Sequence, residues 1–420
     1  MRKVKLGDIA DTALGKMLDA KKNKGELHPY LANIHVRWGE FDLDDLPLMK
    51  FEDSEKERYS LRDGDLIMCE GGEPGRCAIW REQLPDVRYQ KALHRIRPHE
   101  GVDVRWLYYW FVLQGRIGGL NQYFVETTIK HLVGEDLRAV EIDLPSHAEQ
   151  VAIADVLSSI DDKIASNKKL VSELEQTAQL IYDYWFTQFD FPDENGNPYR
   201  SSGGKMVWND QLKREIPEGW TATNLYGIAD YINGLACQNY RPNTTDQGLP
   251  VVKIREMREG ISKNTERVAS NIPGSNIIDD GDLLFAWSAS LEVQFWNGGR
   301  AGLNQHIFKV IPKSEVPTEY VYQQLVRCLV TFRKMAEVRK TTMGHITSDH
   351  LSQSKIVLPA REVLKEFDCA IRQLRQCITQ LGKQTQTLAS LRDWLLPMLM
   401  NGQVTVTDLS LIHISEPTRH

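Results

Sequence analysis

The chain has 420 residues, 41% of them hydrophobic and 26% charged, with a formal net charge of −6. That length and usage fit a globular protein of two or three domains with sizeable cores rather than a disordered or fibrous chain. The basic start Met1-Arg-Lys-Val-Lys5 has no apolar run behind it, and no apolar stretch reaches about 18 residues, so neither a secretory signal nor a membrane span is expected. The acidic balance does not favour a uniformly basic nucleic-acid binder, although net charge says nothing of how charge is divided between faces and clefts. The six cysteines (Cys69, Cys77, Cys237, Cys328, Cys369, Cys377) form no CxxC pair, which removes the usual zinc and thioredoxin-like motifs. They read as reduced thiols in a cytoplasmic protein.

In chain order, the first recognisable block is Leu6-Gly-Asp-Ile-Ala-Asp-Thr-Ala-Leu-Gly15, which returns as Leu225-Tyr-Gly-Ile-Ala-Asp-Tyr-Ile-Asn-Gly234. Asp63-Gly-Asp-Leu66 returns as Asp280-Gly-Asp-Leu283, a turn signal leading each time into an apolar strand. Leu93-His-Arg-Ile-Arg-Pro98 returns as Ile307-Phe-Lys-Val-Ile-Pro312, and Trp106-Leu-Tyr108 as Tyr320-Val-Tyr322 at the head of helix-spaced apolar runs. Thr128-Ile-Lys-His131 returns as Thr342-Met-Gly-His345, and Ile142-Asp-Leu-Pro145 as Ile356-Val-Leu-Pro359, short strands stopped by proline. The offset drifts only from 219 through 217 to 214 residues, so the chain is one fold written twice with different surfaces.

Each copy continues into a long heptad-patterned segment. In the first, Ile153, Leu157, Ile160, Ile164, Val171, Leu174, Ala178, Ile181 and Trp185 alternate in steps of four and three, with Asn167 in the one gap. In the second, Phe367, Ile371, Leu374, Ile378, Leu381 and Leu388 keep the same phase, with Thr385 in the gap and a break at Arg392 before Leu395. A heptad stripe needs a partner stripe, and two repeats related by a pseudo-two-fold axis would pair these helices antiparallel as a rod of roughly 45 Å. Asn167 and Thr385 are candidates for fixing register. The competing arrangement packs each stripe on its own domain.

The expected fold is therefore α+β: two tandem globular recognition domains, each followed by a long helix, the two helices pairing as an antiparallel coiled coil. The boundaries read as a first domain over 1–145, its helix over 146–189, an exposed linker rich in turn formers over 190–215, a second domain over 216–359, its helix over 360–402 and a tail over 403–420. The stretch from Leu411 to His420 matches nothing in the first copy and reads as a cloning-derived or read-through tail.

Catalytic patterns are missing. There is no P-loop, no Rossmann glycine fingerprint, no H-E-x-x-H and no G-x-S-x-G. Gly71-Gly-Glu-Pro-Gly75 lacks the lysine and following helix of a phosphate cradle, and Asn197-Pro-Tyr199 falls short of the aminomethyltransferase motif. Catalytic, cofactor and metal residues are accordingly expected to be absent.

The residues resemble the specificity (S) subunits of type I restriction-modification systems. The likeness covers residues 1–407. It rests on the doubled domain-plus-helix order and on Leu144, Pro145, Glu149, Gln150, Ile153 and Ala154 at the start of the first helix. It rests also on the helix ends Leu180-Ile-Tyr-Asp-Tyr-Trp-Phe186 and Leu391-Arg-Asp-Trp-Leu-Leu-Pro-Met-Leu-Met-Asn-Gly402, and on Ser201-Ser-Gly-Gly-Lys-Met-Val-Trp208. The second helix departs from the pattern: Arg361-Glu-Val-Leu364 has no Glu-Gln pair. The resemblance implies a non-catalytic DNA-binding subunit. Each domain would read one half of a bipartite asymmetric target, and the helices would set the spacer and dock two methyltransferase subunits. Restriction subunits would join the complex, with S-adenosylmethionine, ATP and Mg on the partners. A coiled-coil scaffold that binds only proteins and a stand-alone DNA methyltransferase are the alternatives.

Candidate DNA contacts in the first domain are Lys21, Lys22, Lys24, Arg37, Lys130 and His131. In the second they are Gln238, Asn239, Arg241, Lys253, Arg255, Arg333, Arg339, Lys340 and His345. Lysine and arginine suit phosphate, while Arg37, Gln238, Asn239 and Arg241 are of the type that reads base edges. The Asp-Gly-Asp runs are expected to be turns only, and Trp106, Tyr109 and Trp110 core.

Overall fold

The computed structural model describes residues 2–17, 19, 23–126, 130–288, 290–338 and 348–406. The chain divides into two compact units, Met1–Ile164 with Thr387–His420, and Ala165–Gln386. Each unit holds one globular domain and parts of both long helices, His147–Phe186 and Arg361–Met400.

In the first unit, an antiparallel four-stranded sheet runs in the order Ala10–Leu14, Leu93–Pro98, Leu66–Cys69, Cys77–Ile79. A three-stranded sheet orders Leu48–Phe51, Glu26–Leu31 and Arg88–Tyr89, the last pair parallel. Arg2–Lys5 pairs with Glu141–Leu144, so the ends of the domain are clasped together. The second unit repeats this order strand for strand. Ala229–Asn233, Ile307–Pro312, Leu283–Ala286 and Glu292–Phe295 form one sheet. Arg267–Val268, Leu249–Val252 and Ala301–Leu303 form the other, which gains Ile277–Ile278, and Thr221–Asn224 pairs with Lys355–Leu358.

The repeated turn explains why Asp-Gly-Asp recurs. Gly64 and Gly281 take φ of +83° and +93°, where a side chain is strained. Asp65 accepts from the Arg62 amide at 2.7 Å and Asp282 from the Asp279 amide at 2.8 Å, closing each turn. The same carboxylates then hold a cation on the neighbouring strand: Arg97 grips Asp65 through two 2.7 Å bonds, and Lys309 reaches Asp282 at 2.8 Å. Both acids are held by partners within their own domains.

Each domain has one long helix of its own, Val104–Ile117 and Thr318–Val338, whose apolar face enters the core. Trp106, Tyr109, Trp110 and Phe111 are buried, as expected from their spacing. Leu157, Ile160 and Ile164 of the first long helix join this core, as do Leu395, Leu396 and Leu399 of the second. In the second unit Phe367 and Ile371 pack on the domain core together with Ala178, Tyr182, Trp185 and Phe186. The two packings weighed from the sequence therefore coexist: each stripe lies on its own domain over one half and meets the other helix in both. Direction follows from the contacts. In the first unit Asp161 pairs with Arg392, while Ala152 and Ile153 line one cavity with Leu399. In the second Asn167 donates to Gln384 at 2.9 Å and Glu175 pairs with Arg375. Partner numbers fall as helix numbers rise, so the segments run antiparallel within each unit. Asn167 is 2% exposed, and its amide bond to Gln384 fits the register role. Thr385 bonds instead to Leu381 O of its own helix. Of the remaining stripe residues, Ile378 is buried, while Ile153, Val171, Leu174, Leu374, Leu381 and Leu388 are half-buried.

The Glu-Gln pair at the first helix start has a visible purpose. Ser146 and Glu149 exchange hydrogen bonds as a capping box. Gln150 is buried, accepting from the Asp103 amide at 3.0 Å and donating to Pro145 O at 3.1 Å, which bolts the helix to the domain. At the corresponding place the second helix has Leu364, buried in the apolar core, and an ion pair between Arg361 and Glu315.

The expected linker over 190–215 is exposed or half-buried from 192 to 215, but its first two residues are anchored. Asp190 is buried and takes the Ser201 amide and hydroxyl at 2.7 and 2.6 Å. Phe191, 5% exposed, stacks between Tyr199 and Trp220 with ring centroids 4.7 and 5.0 Å away. Phe189 sits at φ +67°, an uncommon conformation held by the Arg200 amide and the Trp220 ring. Turn formers do shape the segment, but its aromatics close the second core. Phe191→Ala is expected to destabilise the second unit by about 3–5 kcal/mol in denaturant titrations. Glu194→Ala, on the same segment, should stay within about 0.5 kcal/mol.

Candidate nucleic-acid interface

In the first unit the glycine-rich hairpin loop at 71–75 is the centre of a polar surface. Asn33 lies in the short helical turn Asn33–His35 that follows strand Glu26–Leu31, and its amide donates to Gly71 O at 2.9 Å. Arg76 donates to Asn33 O at 3.1 Å and pairs with Glu73 at 2.9 Å, while the Trp38 indole donates to Glu73 at 2.9 Å. On the other side Gly71 bridges His131, and a Cβ at Gly71 would lie 2.9 Å from the His131 ring. A side chain at Gly71 would have to displace that ring. Arg37, Lys130 and Gly72 are exposed around the loop. Glu73, the acid on the loop, is engaged by Arg76 and Trp38, and Arg37 donates to Ile34 O at 2.6 Å and lies 3.9 Å from Asp42.

His94 holds this arrangement from behind. It is buried, and its ring bonds Leu132 O at 2.8 Å, with the Leu132 amide donating to Glu70 O at 2.8 Å. The segment carrying Lys130 and His131 is therefore pinned to the central sheet. Burial pushes the His94 pKa below its usual 6.5, against the pull of the Leu132 bond.

The second unit places equivalent parts in the same order. Leu31 and Val252 end the strands that pair parallel with Arg88–Tyr89 and Ala301–Leu303. The helical segments Asn33–His35 and Ile254–Glu259 follow them, and Arg37 and Arg258 each stand six residues past the strand end. Arg258 pairs with Glu292 at 2.7 Å, on the hairpin that corresponds to the one carrying the glycine loop. Next to it Lys253 pairs with Glu266 at 2.8 Å. That bond, aided by Arg241 and Arg255, holds the Glu266 carboxyl below the usual range. Three cations so gather around one exposed acid. Gln238 and Asn239, in the short turn Cys237–Asn239, are exposed next along the chain from Arg241.

Among the residues expected to touch DNA, Arg37 and His131 flank one loop, Arg241, Lys253 and Arg255 gather at Glu266, and Gln238 and Asn239 are exposed just before Arg241 in the chain. Lys24 is exposed but stands at the far end of strand Glu26–Leu31 from Arg37, roughly 20 Å away. Arg333 donates to Leu291 O at 3.0 Å and braces the hairpin loop. Arg255 is tied to Glu256 at 2.6 and 3.0 Å. Lys21, Lys22, Arg339, Lys340 and His345 lie outside the described residues. Asn33, Arg76 and Arg258, which stand beside the same hairpins, are not among the residues named from the sequence. The glycine loop was the available signal for the first two, and the repeat offset for the third. Among the described residues no His, Cys, Asp and Glu cluster could hold a metal ion, and no helix is long and apolar enough to cross a membrane.

A doubled domain of this topology, with its polar loops and helical tail, matches a known family. The model described as the type I restriction modification DNA specificity domain covers residues 1–176 and again 217–383. The chain belongs to this family. The MjaIX type I restriction enzyme specificity subunit of Methanocaldococcus jannaschii is 26% identical over 362 residues, spanning 82% of this chain and 79% of that protein. The HindI specificity subunit of Haemophilus influenzae is 21% identical over 330 residues, 66% of this chain and 72% of that protein. The crystal structure of the type I restriction-modification S subunit from M. genitalium shares the fold, with a TM-score of 0.52 over 95% of both chains at 15% identity. Two copies of the specificity domain thus coincide with the two globular domains and the helices they carry.

The lowered His94 pKa has a signed consequence. The unfolded imidazole, near 6.5, takes up a proton that the buried one resists. Its stabilising contribution is present above about pH 6.5 and is lost as pH falls toward the lower folded value. Denaturant midpoints should drop between about pH 7.5 and about pH 5.5, and His94→Gln, which keeps a donor for Leu132, should flatten that slope.

Proposed function

We propose that the chain is the DNA-specificity subunit of a type I restriction-modification complex, and that it is not itself catalytic. The observation that carries this reading is the strand-for-strand repetition of one domain with different loop residues at equivalent places. Asn33, Arg76 and Arg37 stand beside a glycine loop in one unit; in the other Arg258 takes the place of Arg37 and pairs with Glu292, while Lys253, Arg241 and Arg255 gather at Glu266. Two such surfaces suit two different half-sites, and hence an asymmetric bipartite target. Arginine can grip guanine O6 and N7 in the major groove, and lysine suits the backbone, which positions the protein without reading sequence. Because these groups stand on loops braced by sheets, the scaffold can stay fixed while the sequence read changes.

In this reading the long helices set the unspecified spacer and dock two methyltransferase subunits, with restriction subunits joining through the complex. S-adenosylmethionine, ATP and Mg belong to those partners. The complex would work on cytoplasmic DNA.

Mapping methylated adenines in a host that expresses the chain with its methyltransferase partner should reveal one bipartite motif with a fixed gap. Replacing residues 1–145 by the first domain of another family member should alter one half of that motif. A change in both halves would sink the assignment of one domain to one half-site. In binding assays on the methyltransferase complex, Arg37→Ala should cost about 1–3 kcal/mol and relax one position of the first half. Lys253→Ala should weaken binding to all sequences alike and lower the salt slope by about one.

A further inference from the structure

Among the described residues, polar contacts between the long helices join Asp161 to Arg392, Asn167 to Gln384 and Glu175 to Arg375. The helices start 214 residues apart, at His147 and Arg361. By that offset Asp161 corresponds to Arg375, so one position carries opposite charge in the two copies. In the first unit Asp161 receives the Tyr109 hydroxyl at 2.6 Å and pairs with Arg392 at 2.8 Å. Arg392 also holds Asp393, which Arg116 of the domain helix grips at 2.8 Å. In the second unit Arg375 pairs with Glu175 at 2.6 Å and with Glu319 at 2.8 Å, and its guanidinium lies 4.1 Å from the centroid of the Phe295 ring. Both arginines are largely buried, where charge pairing counts more than at an open surface.

Now let a helix meet a second copy of itself at the same register. Moved by 214 residues, the Glu175–Arg375 contact becomes Glu175 against Asp161, two carboxylates. The Asp161–Arg392 contact becomes Arg375 against Arg392, two guanidiniums. Asn167, whose amide is satisfied by Gln384, would face Leu170 and lose its partner in a buried position. Every one of these contacts is favourable between unlike repeats and unfavourable between like ones.

We propose that these contacts are a pairing code through which each long helix accepts the helix of the other repeat and rejects a second copy of itself. Specificity of this kind is a difference between two affinities, and the like-charge contacts supply the unfavourable side. The code keeps two different reading domains together and prevents a protein with two identical ones from assembling.

Two substitutions in the full chain, Glu175→Arg together with Arg392→Glu, invert it. Within one chain, the introduced glutamate then faces Asp161 and the introduced arginine faces Arg375, so both contacts join like charges. Between two chains, the same changes set the introduced arginine against Asp161 and the introduced glutamate against Arg375, so both contacts join opposite charges. Light scattering should find the unsubstituted chain as a single-chain species and the inverted chain at twice its mass. The neutral control, Glu175→Ala with Arg392→Ala, should remain single-chain with a melting midpoint only a few degrees lower. An inverted chain that fails to fold while the neutral control folds supports the code, because only the like-charge contacts differ. An inverted chain that stays single-chain and melts like the unsubstituted protein overturns it. So does a neutral control that dimerises equally, or an unsubstituted chain that already pairs with its own copy.

Discussion

A forty-residue amphipathic helix cannot leave its apolar stripe in water, and this chain has two of them. Each fully buried leucine, isoleucine or phenylalanine on such a stripe is worth about 1.5–3 kcal/mol. A stripe of two walls needs two covers. In the first unit the domain core and Leu395, Leu396 and Leu399 both lie on the face of Leu157 and Ile160. In the second, Phe367 and Ile371 are covered by the domain and by Tyr182 and Trp185. The helices are therefore structural parts of both domains. The capping box at Ser146 and the Gln150 bolt set where the first helix leaves its domain. Arg361–Glu315 and the buried Leu364 do the same for the second by different chemistry.

Much of this was legible in the sequence because it rests on periodicity and turn chemistry. The four-three spacing from Ile153 to Trp185 depends on helix geometry alone, and the Asp-Gly-Asp turns on a glycine that must take positive φ. At 190–204 the sequence shows the turns but not the anchoring. Its Asp, Asn, Gly and Pro residues do make turns, but Phe189 and Phe191 pack on Trp220, far enough along the chain that no local pattern reveals it, and Tyr199 stacks on Phe191. Residue type likewise named Arg37 and Lys253 as candidate contacts. It could not bring Asn33 and Arg76 to the loop at 71–75, since those neighbours come from a strand end and a hairpin that meet only in the folded domain.

The candidate interface shows a division of labour between strand and loop. Strands carry the parts that recur: the acid-to-cation clasps at Asp65 and Asp282, and the buried Leu31 and Val252 that end parallel strands. Loops carry the parts that differ, and they are anchored by few, well-directed bonds such as Asn33 to Gly71 and Arg258 to Glu292. Such anchoring limits how far a side chain can stray from the position it needs. It also leaves the outward-facing residues free of any duty to the core.

One consequence concerns the order in which the molecule is made. The first unit is discontinuous in sequence: its core uses residues up to Ile164 and then Leu395, Leu396, Leu399 and Met400. A nascent chain leaving the ribosome at about 5–20 residues per second has the whole first domain in hand well before those leucines emerge. Until then, the faces of Leu157 and Ile160 that the second helix will cover stay open. The domain synthesised first is thus the one completed last, and translation holds it waiting for its own far end.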